Sequence, residues 1–197
     1  MDTRTALAQI REIVGPRGLV EGSDADALLV DEHGLYQGRA ALVVRPASTE
    51  ECAQIVRVCN EASLGVVPQG GNTGYCGGAT PFDAANQILL NLSRMNRVRE
   101  IDPVSFTMTV EAGLVLARAQ AAAEEHQLLF PLSMGSEGSC QIGGNLATNA
   151  GGIAVLRYGT ARDLVLGLEV VLPSGEIISD LKGLRKSIQT VYQSSRF

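Results

Sequence analysis

Two short windows of this chain concentrate its glycines, and any fold must accommodate them. Residues 65–78 hold Gly65, Gly70, Gly71, Gly74, Gly77 and Gly78, and residues 135–152 hold Gly135, Gly138, Gly143, Gly144, Gly151 and Gly152. The chain carries 22 glycines in 197 residues, above the ordinary usage of about 7%, and more than half fall in these windows. They read as two glycine-rich loops separated by ordinary sequence.

Around them the pattern alternates between helix and strand. Residues 3–13 form a short amphipathic helix with Leu7 and Ile10 on one side, and residues 15–39 show little periodicity. Ala40 to Val44 is an apolar run, followed by Ser48 and, three residues on, Glu51, a capping-box signature. In the helix that follows, Cys52, Ile55, Val56 and Cys59 make a core-facing stripe. Val66-Val67 begins a second strand that enters the first glycine loop, and Gln87 to Leu92 makes a third, which is βαβ-like. Val98 to Ile101 and Phe106 to Glu111 read as paired strands, with Phe106, Met108 and Val110 alternating against Thr107, Thr109 and Glu111. Leu114 to Gln127 reads as a helix and Leu128 to Pro131 as a strand. Asp163 to Leu172 and Glu176 to Ile178 read as a hairpin turning at Pro173-Ser174-Gly175. The class is α+β, without internal repeats.

The loops suit an anion. PQGGNTGYCGG (68–78) leaves a strand and offers backbone N–H groups unshielded by side chains, with Asn72 and Thr73 adding an amide and a hydroxyl. A phosphate or diphosphate fits there; a tight structural turn is the alternative. In GSEGSCQIGGNLATNAGG (135–152), Gly143-Gly144-Asn145 opens a helical turn whose free N–H groups attract negative charge. Two such loops favour a large anionic cofactor.

Several classes are excluded. No two glycines are separated by a single residue, so the dinucleotide fingerprint GxGxxG is absent. The only lysines, Lys182 and Lys186, do not form a P-loop, and there is no GxSxG. His33 and His126 stand far apart with no zinc spacing, so no metal site is expected; His126 reads as a solvated residue near a helix end. The net charge is −5 with no basic stripe, which argues against nucleic acid. No run approaches the roughly 18 apolar residues of a membrane span, and the N-terminus lacks a signal peptide's pattern, so a cytoplasmic location is expected. Cys52, Cys59, Cys76 and Cys140 are too spread for a disulfide framework and read as thiols.

PQGGNTGYCGG, VEAG (110–113) and GSCQIGGNLATNAGG, followed by RYGTARDLVLGLEVVLPSGEI, resemble the FAD-binding domain of the vanillyl-alcohol oxidase / para-cresol methylhydroxylase flavoprotein family. The second motif is most similar to the D-lactate and D-2-hydroxyglutarate dehydrogenase branch, whose members oxidise D-2-hydroxy acids by hydride transfer to FAD. The resemblance covers about residues 40–180. It implies a two-part α+β FAD-binding domain of the para-cresol methylhydroxylase type, truncated at its C-terminal end, with 1–39 as a lead-in. By resemblance Gln69, Gly70, Gly71, Asn72, Thr73 and Gly74 wrap the FAD diphosphate. Ser139, Gly143, Gly144, Asn145, Asn149, Gly151 and Gly152 line the flavin and ribityl region, and Gly78, Pro131 and Gly138 join the cofactor-binding set. Where covalent members carry a histidine in the first loop this chain has Asn72, so its FAD is expected to be non-covalent. Ser133 and Glu137 stand where the branch usually has an acid and a lysine.

The family pattern stops after Lys186, where the chain reads SIQTVYQSSRF. The expectation is an aberrant tail over 181–197, out of frame in its SIQTVYQSSRF ending, and an absent substrate-binding domain. That domain would supply the hydroxy-acid contacts, so a small hydroxy-acid partner requires it, and no catalytic side chain is named. The motifs carry no signature of a particular electron acceptor. Two further readings stand beside the oxidoreductase: a flavin-binding module without turnover of its own, and a non-functional fragment.

Overall fold

The computed structural model describes residues 1–181. The expected aberrant tail lies outside the described residues except for Leu181.

The first helix, α1 (Thr3–Gly18), starts at Asp2, whose carboxylate accepts from the Thr5 N–H at 3.0 Å. It breaks at Gly15, where φ is 60° just before Pro16. Ala6, Ile10 and Val14 are its buried face, with Leu7 packed beside them. A short strand β1 (Leu19–Val20) and a helix α2 (Ser23–Leu28) follow within the stretch that shows no periodicity in sequence.

Strand β2 (Leu42–Val44) leads into α3 (Thr49–Glu61). The Ser48 hydroxyl accepts from the Glu51 N–H at 3.2 Å, as the capping box predicts, but Glu51 reaches one residue further back, to the Ala47 N–H at 2.8 Å. Cys52, Ile55 and Cys59 face the core as expected; Val56 is half-buried, and Ala53 and Val58 complete the stripe. Strands β3 (Gly65–Gln69) and β4 (Gln87–Asn91) complete a sheet of order β1-β2-β4-β3, in which β2, β4 and β3 are parallel. Helices cover both faces, which is why β2 and β4 read as uninterrupted apolar runs. One core joins α1 and α3 to Val44 and Leu90; the other joins Val43, Leu89 and Ala25.

The second half has its own core around Leu114, Leu116, Leu132, Cys140 and Ala161. Strands β5 (Val98–Asp102) and β6 (Thr107–Val110) pair antiparallel, with an irregularity between Val98 and Glu100. Phe106 lies outside β6 at φ 54° and is exposed, and the strand's four residues are all half-buried, so the expected alternation does not sort them between core and solvent. Helix α4 (Leu116–Glu124) is shorter than its sequence pattern. Residues 128–131 are a loop, not the expected strand: the chain leaves α4 through Gln127 at φ 59°, and these residues pair with no strand among the described residues. Helices α5 (Ile142–Thr148) and α6 (Val155–Tyr158) follow. The expected first arm of the last hairpin begins instead as a 3-10 turn over Ala161–Leu164, capped by Thr160 and Asp163. Only β7 (Glu169–Val171) and β8 (Ile177–Ser179) pair.

Between the two hairpins and helices α3 and α4 lies an apolar cavity of about 1130 Å³, with Phe106, Leu129, Leu164, Leu166 and Val170 among its lining. Leu166, Leu168, Val170, Ile177 and Ile178 are exposed.

Candidate cofactor site

Three parallel strands end at one level. Gln69 closes β3 and Asn91 closes β4 directly beside it, while Arg45 stands one residue past the end of β2. Ligands of α/β sheets collect at the carboxyl ends of strands, and here a polar cleft of about 250 Å³ opens at that edge. Gly70, Gly71 and Asn72 of the first loop line it, together with Arg45, Ser139 and Gln141.

The first loop is held by its own polar side chains. Gln69, 1% exposed, donates to the carbonyls of Leu28 at 2.8 Å and Ala79 at 3.1 Å, and accepts from Asn91 at 2.9 Å. Asn72, in the left-handed region at φ 56°, donates to the Val30 carbonyl at 2.7 Å. His33 and Tyr75 lie ring to ring at 4.6 Å. The lead-in that is silent in sequence therefore anchors the outer side of the loop. The Gln69 and Asn72 amides are thus engaged by the protein itself, Thr73 is half-buried, and Gly74 and Gly78 have open space where a Cβ would stand.

The two loops meet at Gly71. A Cβ there would come within 2.0 Å of the Ser139 carbonyl oxygen, so only glycine permits this approach. Gly70 is looser, with Gln141 and the Gly144 N–H at ordinary contact distance. In the second loop, Gly143 packs against Ala112, Gly152 at φ 79° packs on the Ser133 carbonyl, and Gly151 approaches Val155. Asn149, also left-handed, ends α5 and accepts from the Arg162 N–H at 3.1 Å. Gly138 and Gly144 face open space, and Ser139 is exposed. Pro131 and Asn145 line the apolar cavity rather than the cleft. The Ser133 hydroxyl donates to Glu137 at 3.1 Å, and Gln120 donates to the same carboxylate at 3.3 Å.

Among the described residues, three buried polar atoms have no hydrogen-bond partner: Arg45 Nε, Gln141 Oε1 and Asn145 Nδ2. Buried polar groups are nearly always paired, so atoms left bare beside the glycine loops mark where another molecule belongs. Arg45 carried no signal in sequence beyond being a basic residue at a strand end. Gln141 lies inside the second motif, but only the fold turns it toward the first loop.

The two halves are also tied through the Thr49 hydroxyl, which donates to Glu169 at 2.6 Å. Arg99 reaches Glu169 at 2.9 Å, Glu111 at 3.5 Å and the Thr49 hydroxyl at 3.2 Å. Glu111, in the VEAG segment, also takes two bonds from the Arg97 guanidinium and one from the Arg97 N–H. Burial pushes its carboxyl upward, but the Arg97 hydrogen bonds and the charges of Arg97 and Arg99 outweigh that and hold it below the usual range. The Thr49 hydroxyl, opposed by burial and helped by Arg99, holds Glu169 down likewise.

A family model described as FAD binding domain matches residues 40–180. The chain belongs to this FAD-binding domain family. It is 48% identical over 152 residues to a D-2-hydroxyglutarate–pyruvate transhydrogenase of Saccharomyces cerevisiae, covering 77% of this chain and 30% of that protein. It is 44% identical over 181 residues to a mitochondrial D-2-hydroxyglutarate dehydrogenase of Bos taurus, covering 91% and 33%. The chain thus spans about a third of the length of these relatives. Among solved structures, alkyldihydroxyacetonephosphate synthase superposes with a TM-score of 0.81 at 19% identity, over 91% of this chain and 35% of that one. p-Cresol methylhydroxylase does so with 0.70 at 23%, over 89% and 35%. These likenesses bear out the fold expected of the FAD domain. FAD is its cofactor, and the bare Arg45 Nε and Gln141 Oε1 of the cleft fit a dinucleotide's phosphates and hydroxyls. No helix among the described residues is long and apolar enough to cross a membrane.

Proposed function

We propose that this chain is the FAD-holding portion of a flavin-dependent dehydrogenase acting on a D-2-hydroxy acid. The observation that carries it is the cleft at the carboxyl ends of β2, β3 and β4, where two glycine loops close on bare polar atoms. FAD bound there supplies a two-electron acceptor for hydride. The chain's own contribution is to bind and orient. The backbones of Gly70, Gly71, Asn72, Thr73, Gly74 and Gly78 bear on the diphosphate, with Gln69 fixing the loop from beneath. Gly138, Ser139, Gly143, Gly144, Asn145, Asn149, Gly151 and Gly152, with Pro131, shape the flavin and ribityl side. Binding is non-covalent, because no histidine lies in the first loop. The hydroxy acid is held by further polypeptide, such as the two thirds of the relatives' length that this chain does not span.

A second reading, a flavin-binding module without turnover of its own, is favoured by the apolar cavity between the hairpins, which leaves a large surface without protein against it. Four free thiols suit a reducing compartment; the cytoplasm is the compartment we propose, the mitochondrial name of the Bos taurus relative is the competing reading, and cell fractionation decides between them.

The test is to mix purified chain 1–197 with FAD, remove the excess by gel filtration and record the visible spectrum. A retained flavin band that acid precipitation releases into the supernatant is expected. A folded but colourless protein overturns the FAD reading, a band retained in the pellet overturns non-covalent binding, and an aggregated product marks a non-functional fragment.

A further inference from the structure

The cleft contains a positive charge that neither motif supplies. Arg45 follows β2, on the level of the Asn91–Gln69 pair, and lines the same cleft as Gly70, Gly71, Ser139 and Gln141. Its backbone is fixed on both sides: its N–H donates to the Gly18 carbonyl at 2.7 Å, and its carbonyl accepts from the Arg94 guanidinium at 2.8 Å. Its side chain, by contrast, makes no ion pair among the described residues, and its Nε is buried without a partner. No aspartate or glutamate lines the cleft. The amides that could have competed for a ligand, Gln69 and Asn91, are already satisfied by each other and by backbone carbonyls.

A guanidinium with a buried, unpaired N–H in a cavity free of carboxylates calls for an anionic acceptor. Across the same cleft, Gln141 is 7% exposed and its Oε1 is an unpaired acceptor that calls for a donor. One ligand chemistry answers both, a phosphate joined to a hydroxylated sugar. Gly70, Gly71 and Asn72 of the first loop line the same cleft, but no lining residue besides Arg45 brings a full charge.

We infer that Arg45 is the cation that holds the diphosphate of a bound dinucleotide in this cleft, with Gln141 taking a hydroxyl of the same molecule. This rests on the reading of the cleft as the cofactor site, and it adds the residue that distinguishes the phosphorylated half of the cofactor from an uncharged nucleoside. Because the contact is charge-assisted, its loss weakens binding about 10- to 100-fold.

The experiment compares chain 1–197 with Arg45→Met and Arg45→Lys, titrating FAD, ADP, inorganic pyrophosphate and adenosine and following the ligand-induced rise in thermal midpoint. Circular dichroism checks the fold of each variant. The expected result is that Arg45→Met binds FAD, ADP and pyrophosphate about 10- to 100-fold more weakly, binds adenosine as the parent does, and shows a flatter salt dependence for ADP. Arg45→Lys recovers part of the loss. Equal binding of FAD, ADP and pyrophosphate by parent and Arg45→Met overturns the inference while leaving the FAD reading intact. So does a parallel loss of adenosine, or no recovery in Arg45→Lys, either of which marks a structural role. Arg45-dependent binding of ADP and pyrophosphate without FAD binding keeps the anion site and removes the FAD reading; a parent chain that binds none of the four overturns both.

Discussion

Asn91 donates its side-chain amide to the Gln69 side-chain oxygen at 2.9 Å, joining the last residues of two adjacent parallel strands beneath the glycine loop. Both residues are at least 98% buried, and the same Asn91 amide also reaches the Gly70 carbonyl at 3.3 Å. Replacing Asn91 with leucine leaves Gln69 Oε1 buried without a donor. We expect Asn91→Leu to lose about 1–3 kcal/mol in urea unfolding and to weaken FAD binding, because the loop's first residue loses its support.

Gly71 and Gly74 lie three positions apart and face opposite conditions. A methyl at Gly71 meets the Ser139 carbonyl, whereas nothing lies within 4 Å of one at Gly74. Gly71→Ala should therefore lose about 1–3 kcal/mol, and Gly74→Ala should unfold within about 0.5 kcal/mol of the parent. Equal urea midpoints for the two variants would contradict the packing of the loops.

The acid limb of stability follows from Glu111 and Glu169. Both carboxyls are held below their ordinary value of 4.5 in the fold, so their ionised forms favour folding. Their contribution is fully present above that ordinary value and is lost as pH falls through the lower folded values. Glu111→Gln should lower the urea midpoint at pH 7 and flatten the decline of stability between neutral and acid pH, both read from the same unfolding series.

Thiol reactivity should be selective. Cys76 is exposed in the first loop, while Cys52, Cys59 and Cys140 are buried, and burial pushes the Cys52 thiol up to about 12 and Cys59 to about 11. Iodoacetamide at neutral pH should label Cys76 alone in the native chain and all four in urea, as mass spectrometry of peptides would show.

What was legible in sequence was local. The cap at Ser48, the buried run of β4 and the turn that opens α5 through Gly143 and Gly144 each depend on neighbours a few residues away, and each stands where the pattern put it. The strand expected over 128–131 failed because an apolar run records burial without recording a pairing partner. The anchoring of the first loop by Leu28, Val30 and His33 was invisible for another reason: it uses backbone carbonyls, which every residue possesses, and one ring contact. The glycines gave the location of the site but not their separate tasks. Gly71, Gly143 and Gly152 serve close packing, whereas Gly74, Gly138 and Gly144 leave space. Arg45 was missed because a lone cation resembles any surface arginine until its partnerless burial is seen.

The contact of Gly71 with Ser139 joins segments from opposite halves of the chain. Neither motif alone, cut out as a peptide, is a binding site; the cleft exists only after a long loop has been closed, whose entropy must already have been offset by the three cores. A ligand that touches both loops therefore recognises the finished tertiary arrangement, and its affinity serves as a measure of how completely the two halves have come together.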